Sequence, residues 1–200
     1  MKKLIVIICL SLPATSFAGI SIFGGQGYGV FRLSGAGHPN ISSVIVAGIK
    51  FSEYIDFRYM SLDTSLRMPV LPFRAVDIKY NKRGDTYTSY DSDVLGLSFN
   101  IPLWSGFRLG LMYGAGRSEI TDLTKQPSGD YTAYIHEGFM QAFNAELGMT
   151  IPFRMFLISP KIGVLTHFLD SDSGYNNAMS YYLSVSVSYV FEKTTEEKKI

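Results

Sequence analysis

Three histidines, His38, His136 and His167, are the side chains of this chain best suited to move protons near neutral pH. His167 is followed by Asp170, Ser171, Asp172 and Ser173. These are the residue types of nucleophilic acyl chemistry, in which an imidazole activates a serine hydroxyl with the help of a carboxylate. His136-Glu137 is an isolated pair without the spacing of a metal motif. Gly24-Gly25-Gln26-Gly27-Tyr28-Gly29 is rich in glycine, but it lies in a strand pattern with no following helix N-terminus to hold a phosphate. No motif for a metal, a nucleotide or another cofactor is present, so none is expected. What the remaining charged residues can do depends on which way their strands turn them.

The elements are legible as alternation. From Met179 to Phe191, Tyr181, Leu183, Val185, Val187, Tyr189 and Phe191 fall on one face, with Tyr182, Ser184, Ser186 and Ser188 on the other. Side chains alternate sides along a β-strand, so one face suits hydrocarbon and the other a small polar interior. The same reading predicts strands over Phe156–Phe168, Phe139–Ile151, Phe107–Ala115, Leu95–Ile101, Ile55–Leu62, Ser43–Ser52 and Ile20–Leu33. In the last of these, Gln26 and Arg32 are expected inside and Phe23, Gly25, Gly27, Gly29, Phe31 and Leu33 outside. The predicted fold class is therefore all-β, an eight-stranded antiparallel up-and-down transmembrane barrel. Short turns alternate with longer connections at Ser34–Ser42, Asp63–Asp93, Arg117–Ile135 and Asp170–Ala178. Val76 to Tyr90 carries an alternation of its own, expected as a ribbon standing above the membrane, with two further spanning strands as the alternative.

The ends and the composition agree with that placement. Lys2 and Lys3, the apolar run Leu4–Leu12 and Ser16-Phe17-Ala18 make a secretory signal over residues 1–18, with cleavage near Ala18. Its apolar core is too short to span a bilayer as a helix. Cys9, the single cysteine, lies in that segment, so the mature chain holds no thiol. Removal takes Lys2 and Lys3 and turns the formal charge from +1 to −1, which offers nucleic acid no general attraction. The barrel is expected over 19–191, and residues 192–200 form a charged periplasmic tail.

Projected along these registers, Arg32, Lys50, Asp56, Arg58, Arg108, Glu146 and Lys161 turn inward. A charge facing lipid at mid-membrane costs a few kcal/mol, which favours that assignment. The interior of an eight-stranded barrel is just wide enough for side chains to fill, so these residues are expected to form a plugging network, with Asp56 and Glu146 pairing the basic groups. Their basic excess leaves a narrow anion channel as an alternative.

In strand pattern, loop asymmetry and terminal aromatic, residues 19–191 resemble the small outer-membrane barrels of the OmpA transmembrane domain and OmpX type. Ser184, Ser186, Tyr189 and Phe191 match the positions that such barrels present to the barrel assembly machinery, with serine in place of glycine and nine residues beyond the aromatic. The resemblance implies an outer-membrane location in a Gram-negative cell, contact with lipid and lipopolysaccharide, and a structural or adhesive role through the long loops. It also names the competing enzyme, since small outer-membrane lipid A deacylases use a serine and a histidine. Their His-x-Ser pattern is replaced here by His167-Phe168-Leu169, so catalysis by His167 is the alternative and a non-enzyme the expectation.

Overall fold

The computed structural model describes residues 20–35, 39–52, 54–64, 81–83, 86–104, 106–153, 155–170 and 174–191. The expected signal 1–18, His38, the segment 65–80, Ser171–Ser173 and the tail 192–200 lie outside the described residues. The strands are β1 (Ser21–Leu33), β2 (Asn40–Lys50), β3 (Ile55–Asp63), β4 (Asn81–Arg83), β5 (Thr86–Pro102), β6 (Phe107–Lys125), β7 (Tyr131–Met149), β8 (Ile151–Phe153), β9 (Phe156–Leu169) and β10 (Asn177–Val190). Each long strand pairs antiparallel with its chain neighbour, and β10 pairs with both β9 and β1. The sheet thus closes into an eight-stranded barrel. β8 continues β7 against β9, and β4 is a short flap on β5.

The exterior follows the predicted alternation on seven of the strands. Leu95, Leu97, Phe99 and Ile101 on β5, and Tyr181, Leu183, Val185 and Val187 on β10, are exposed, while the residues between them are buried. Such a band of exposed large apolar side chains has no advantage in water and is what a bilayer requires. Phe51, Tyr54, Trp104, Phe153 and Phe156 ring the end with the short turns. No helix among the described residues is long and apolar enough to cross a membrane, so the band belongs to the strands.

β1 has the opposite register from the one expected. Phe23, Phe31 and Leu33 are buried inside, whereas Arg32 is exposed and turned outward. The inner face decides this. A Cβ added at Gly25 or Gly27 would collide with Ser186 or Ser184 of β10, and one at Gly29 with the backbone of Tyr181 and Tyr182. Gln26, Tyr28 and Arg32 would have no room there. Arg32 lies one residue from the loop end of β1, beside the headgroup layer, where the penalty for an outward charge is small.

The connections also differ from expectation. Much of Arg117–Ile135 is strand: β6 and β7 pair up to Lys125 and Tyr131, and the chain turns through Gly129 at φ +94°, a left-handed conformation favoured by glycine. β5 begins at Thr86 rather than near Asp93, and β4 folds back on it; Val76–Tyr80, which would decide between a ribbon and a further spanning pair, lie outside the described residues. Together β4 to β7 form a sheet that continues past the barrel rim.

Closure on all sides predicts strong kinetic resistance. The folded chain in detergent, mixed with SDS and left unheated, should migrate on a gel differently from a boiled sample. Identical mobility before and after boiling would contradict a closed barrel.

Candidate functional site

The interior has two storeys. Toward the short turns it is polar, and its centre is Arg58 on β3, whose side chain is only 1% exposed. Its guanidinium grips Asp56 with a two-pronged contact, Nε to Oδ1 and Nη2 to Oδ2, both 3.0 Å, and sends Nη1 to Glu146 Oε1 at 2.6 Å. Lys161 Nζ meets the same Glu146 oxygen at 2.6 Å. Asn100 donates to Asp56 Oδ2 at 2.7 Å, and Tyr182 Oη donates to Asn144 Oδ1 at 2.9 Å and toward Glu146 Oε2 at 3.3 Å. The Phe23 ring faces both cations, its centre 5.6 Å from Arg58 and 6.0 Å from Lys161.

These large side chains fit because each lies across from a glycine. In strand register Arg58 is flanked by Gly48 and Gly96, Glu146 by Gly110 and Gly163, and Lys161 pairs with Gly148. A Cβ at Gly110 would meet Glu146, one at Gly148 would meet Lys161, and one at Gly163 would meet the Tyr182 ring. The remaining cavity, bordered by Phe23, Lys50, Arg58, Arg108, Glu146 and Lys161, measures about 30 Å³, room for a water or two.

Of the seven residues expected in the lumen, Asp56, Arg58, Glu146 and Lys161 are joined in one bonded cluster, and Lys50 and Arg108 line its cavity. Arg32 is not part of it, because β1 carries the opposite register and Phe23 enters the lumen in its stead. Strand alternation also turns Asn100, Asn144 and Tyr182 inward, but their bonds to the cluster depend on the barrel's circumference and are not legible in the strands singly.

Toward the long loops the lumen holds no charge cluster and is mostly apolar, with small polar groups such as the bonded pair Ser42 and Ser180 among the apolar ones, so the expected polar lumen is confined largely to the other end. Val44, Met60, Leu62, Val94, Met112, Ile120, Met140 and Leu165 pack there with Phe31 and Tyr90. His167 lies among them, 1% exposed, with its Nδ1 2.7 Å from Tyr90 Oη and its Nε2 without a partner among the described residues. Small residues, Ala142 and Ala178, stand on both sides of it in register. His136 is separate, on the projecting sheet, 3.9 Å from Asp122, whose carboxylate also receives bonds from Thr88 and Tyr175. No grouping of His, Cys, Asp and Glu suited to a metal occurs among the described residues.

The four residues matched to an assembly signal divide into two groups. Ser184 and Ser186 face inward at the closing seam against Gly27 and Gly25, so the small partner is supplied by β1 rather than by a glycine in β10. Tyr189 faces outward and joins Phe156 and Phe191, with ring centroids 5.7 and 5.0 Å away.

The geometry defines a closed antiparallel barrel with an apolar exterior and a filled interior. No protein-family model matches the sequence, and no curated protein matches it. Among solved structures the chain has the fold of small outer-membrane barrels. Neisserial surface protein A is similar over 87% of this chain and 98% of its own, with a TM-score of 0.52 and 13% identity. Ail, the attachment invasion locus protein of Yersinia pestis, is similar over 86% of this chain and 100% of its own, with a TM-score of 0.51 and 15% identity; it has also been solved with the heparin analogue sucrose octasulfate.

Because Arg58 and Lys161 share Glu146 in a buried interior, Glu146→Ala should destabilise the barrel by about 3–5 kcal/mol through the buried charges it leaves uncompensated. A quadruple variant, Asp56→Leu, Arg58→Met, Glu146→Met and Lys161→Met, which leaves no member of the cluster charged, should recover most of that loss. Urea unfolding in lipid vesicles checks both, and a loss below about 1 kcal/mol for Glu146→Ala would show that the cluster does not hold the barrel.

Proposed function

We propose that this chain is an integral outer-membrane protein of structural and surface-interacting type, and that it works through the sheet projecting beyond its rim rather than through its lumen. The observation that carries this reading is the edge of β7. Among the described residues, 132–139 pair with β6 on one side only, since β9 joins β7 from Met140 onward. That edge runs for roughly 27 Å at the usual rise per residue. Outward side chains here include Tyr131, Ile135 and Phe139, all more than half exposed, with Tyr134 exposed beside them. An unpaired strand edge is a template for an extended segment of another protein, its backbone supplying affinity and its side chains selectivity.

The charge of the described rim favours a protein over a polyanion. Asp63, Asp91, Asp93, Glu119, Asp122, Asp130, Glu137 and Asp170 outnumber Arg32, Lys82, Arg83, Arg117 and Lys125 there. The heparin analogue seen with Ail is a sulfated ligand, and these carboxylates would repel one. Lipopolysaccharide would surround the band, and Ser184, Ser186, Tyr189 and Phe191 remain the segment offered to the assembly machinery.

The interior supports neither rival. A cluster that leaves about 30 Å³ has no path for ions, so planar-bilayer recordings should show no steady conductance; large anion-selective currents would overturn the plug. His167 is enclosed by Tyr90 and aliphatic residues, and a base must come within about 3 Å of its nucleophile. Expression should leave the mass spectrum of host lipid A unchanged. A species lighter by one acyl chain that disappears in His167→Ala would instead establish the hydrolase.

The surface role is tested by adhesion. Cells exporting the full chain should bind cultured host cells or a protein matrix more than vector controls. A variant whose β6–β7 hairpin is closed directly from Arg117 to Phe139 should lose that binding while keeping its heat-dependent gel mobility. Unchanged binding by the folded, shortened variant would sink the proposal.

A further inference from the structure

The outward face of β1 interrupts the apolar band. Gln26 lies there in register with Val185 of β10 and Ile45 of β2, both exposed apolar residues. Val185 is midway between Tyr181 and Tyr189 on its strand, so the Gln26 carboxamide sits near mid-height of the band. In a bilayer its surroundings are hydrocarbon.

The amide donates one N–H to Tyr28 Oη at 2.8 Å and makes no other bond among the described residues. A carboxamide carries two N–H donors and an acceptor oxygen. Its oxygen and second N–H are therefore unmet, and the hydroxyl proton of Tyr28 is also available. At that depth no water can take them.

A second observation lies one outward step along the same strand. Gly24 is exposed, and a Cβ built on it meets nothing closer than the Val46 carbonyl oxygen at 3.9 Å. Gly25, Gly27 and Gly29 are each required by the backbone of β10, whereas nothing within this chain requires a glycine at 24. Its register partner on β2 is Ala47, also small. A bare glycine on an outer face lets another backbone approach closely.

We propose that this strip, Gly24 to Tyr28, is a lateral contact with a second copy of this chain, the two related by a two-fold axis along the membrane normal. A two-fold contact places a patch against itself, so its polar groups must be self-complementary. A carboxamide is: the N–H of each Gln26 meets the oxygen of the other, and both deficits close together. A charged side chain at the same place would repel its own copy, and an acyl chain at that depth offers neither donor nor acceptor. Glycine at 24 lets the two strands come near enough for the amides to meet. The contact is independent of the surface role proposed above.

The test is photo-crosslinking in cells that export the full chain, with a photo-reactive residue at Val30, outward-facing and half exposed at the margin of the strip. Illumination should give a product of twice the chain's mass. Gln26→Leu removes the amide, and Gly24→Val adds bulk that points into open space in a single copy. Each should weaken association roughly tenfold. Leu97→Val, on β5, should leave the product unchanged. Heat-dependent mobility confirms that every variant is folded. Absence of the doubled-mass product from the folded parent, an undiminished product in both strip variants, or a product carrying the mass of a different protein would overturn the proposal.

Discussion

The interior of an eight-stranded barrel is one side chain wide, and everything else in this protein follows from filling it. A large residue can enter only where its neighbours in register yield, and they yield by being glycine. Arg58 stands between Gly48 and Gly96, Glu146 between Gly110 and Gly163. Glycine weakens a strand by its flexibility, and that weakness is offset here by the bonds of the residue it admits. Three carbonyl-seeking or charged groups on Arg58, Lys161 and Tyr182 then converge on one carboxylate, Glu146, from three different strands.

The same constraint separates the two storeys. Buried charges are tolerated where they can be gathered into one mutually bonded set, which takes up the end near the short turns. The other end has no such set, and aliphatic residues, methionines and a stacked Phe31–Tyr90 pair fill it instead. His167 belongs to this half, held by Tyr90 rather than by a carboxylate. A histidine that chemistry would single out is therefore buried in the interior with one anchored nitrogen.

Much of the fold could be read from the chain because a period of two is unambiguous when one face meets hydrocarbon and the other a crowded lumen. Seven strands carry that contrast: Leu97 against Ser98, Leu183 against Ser184. β1 does not, because its glycines are silent about direction, and the rule that charges turn inward pointed Arg32 the wrong way. Steric fit against Ser184 and Ser186 outweighed it. The projecting sheet was hidden for a different reason. Segments such as Thr121 to Lys125 are mostly polar on both sides and so resemble loops. Within the lumen, the members of the cluster were legible as inward residues, but their partners are set by the circumference, which no single strand records.

The seam between β1 and β10 joins the two ends of the barrel sequence, from Ser21 with Val190 to Leu33 with Ala178. No earlier pairing can substitute for it, because β1 needs the small residues of β10 and those residues come last in the chain. Folding is thus an all-or-none ring closure with a large loop-entropy barrier, and contacts this distant in sequence form slowly. Until the last strand arrives, the growing sheet carries two open margins at once, so the protein's passage to the membrane is a race between closing on itself and joining something else.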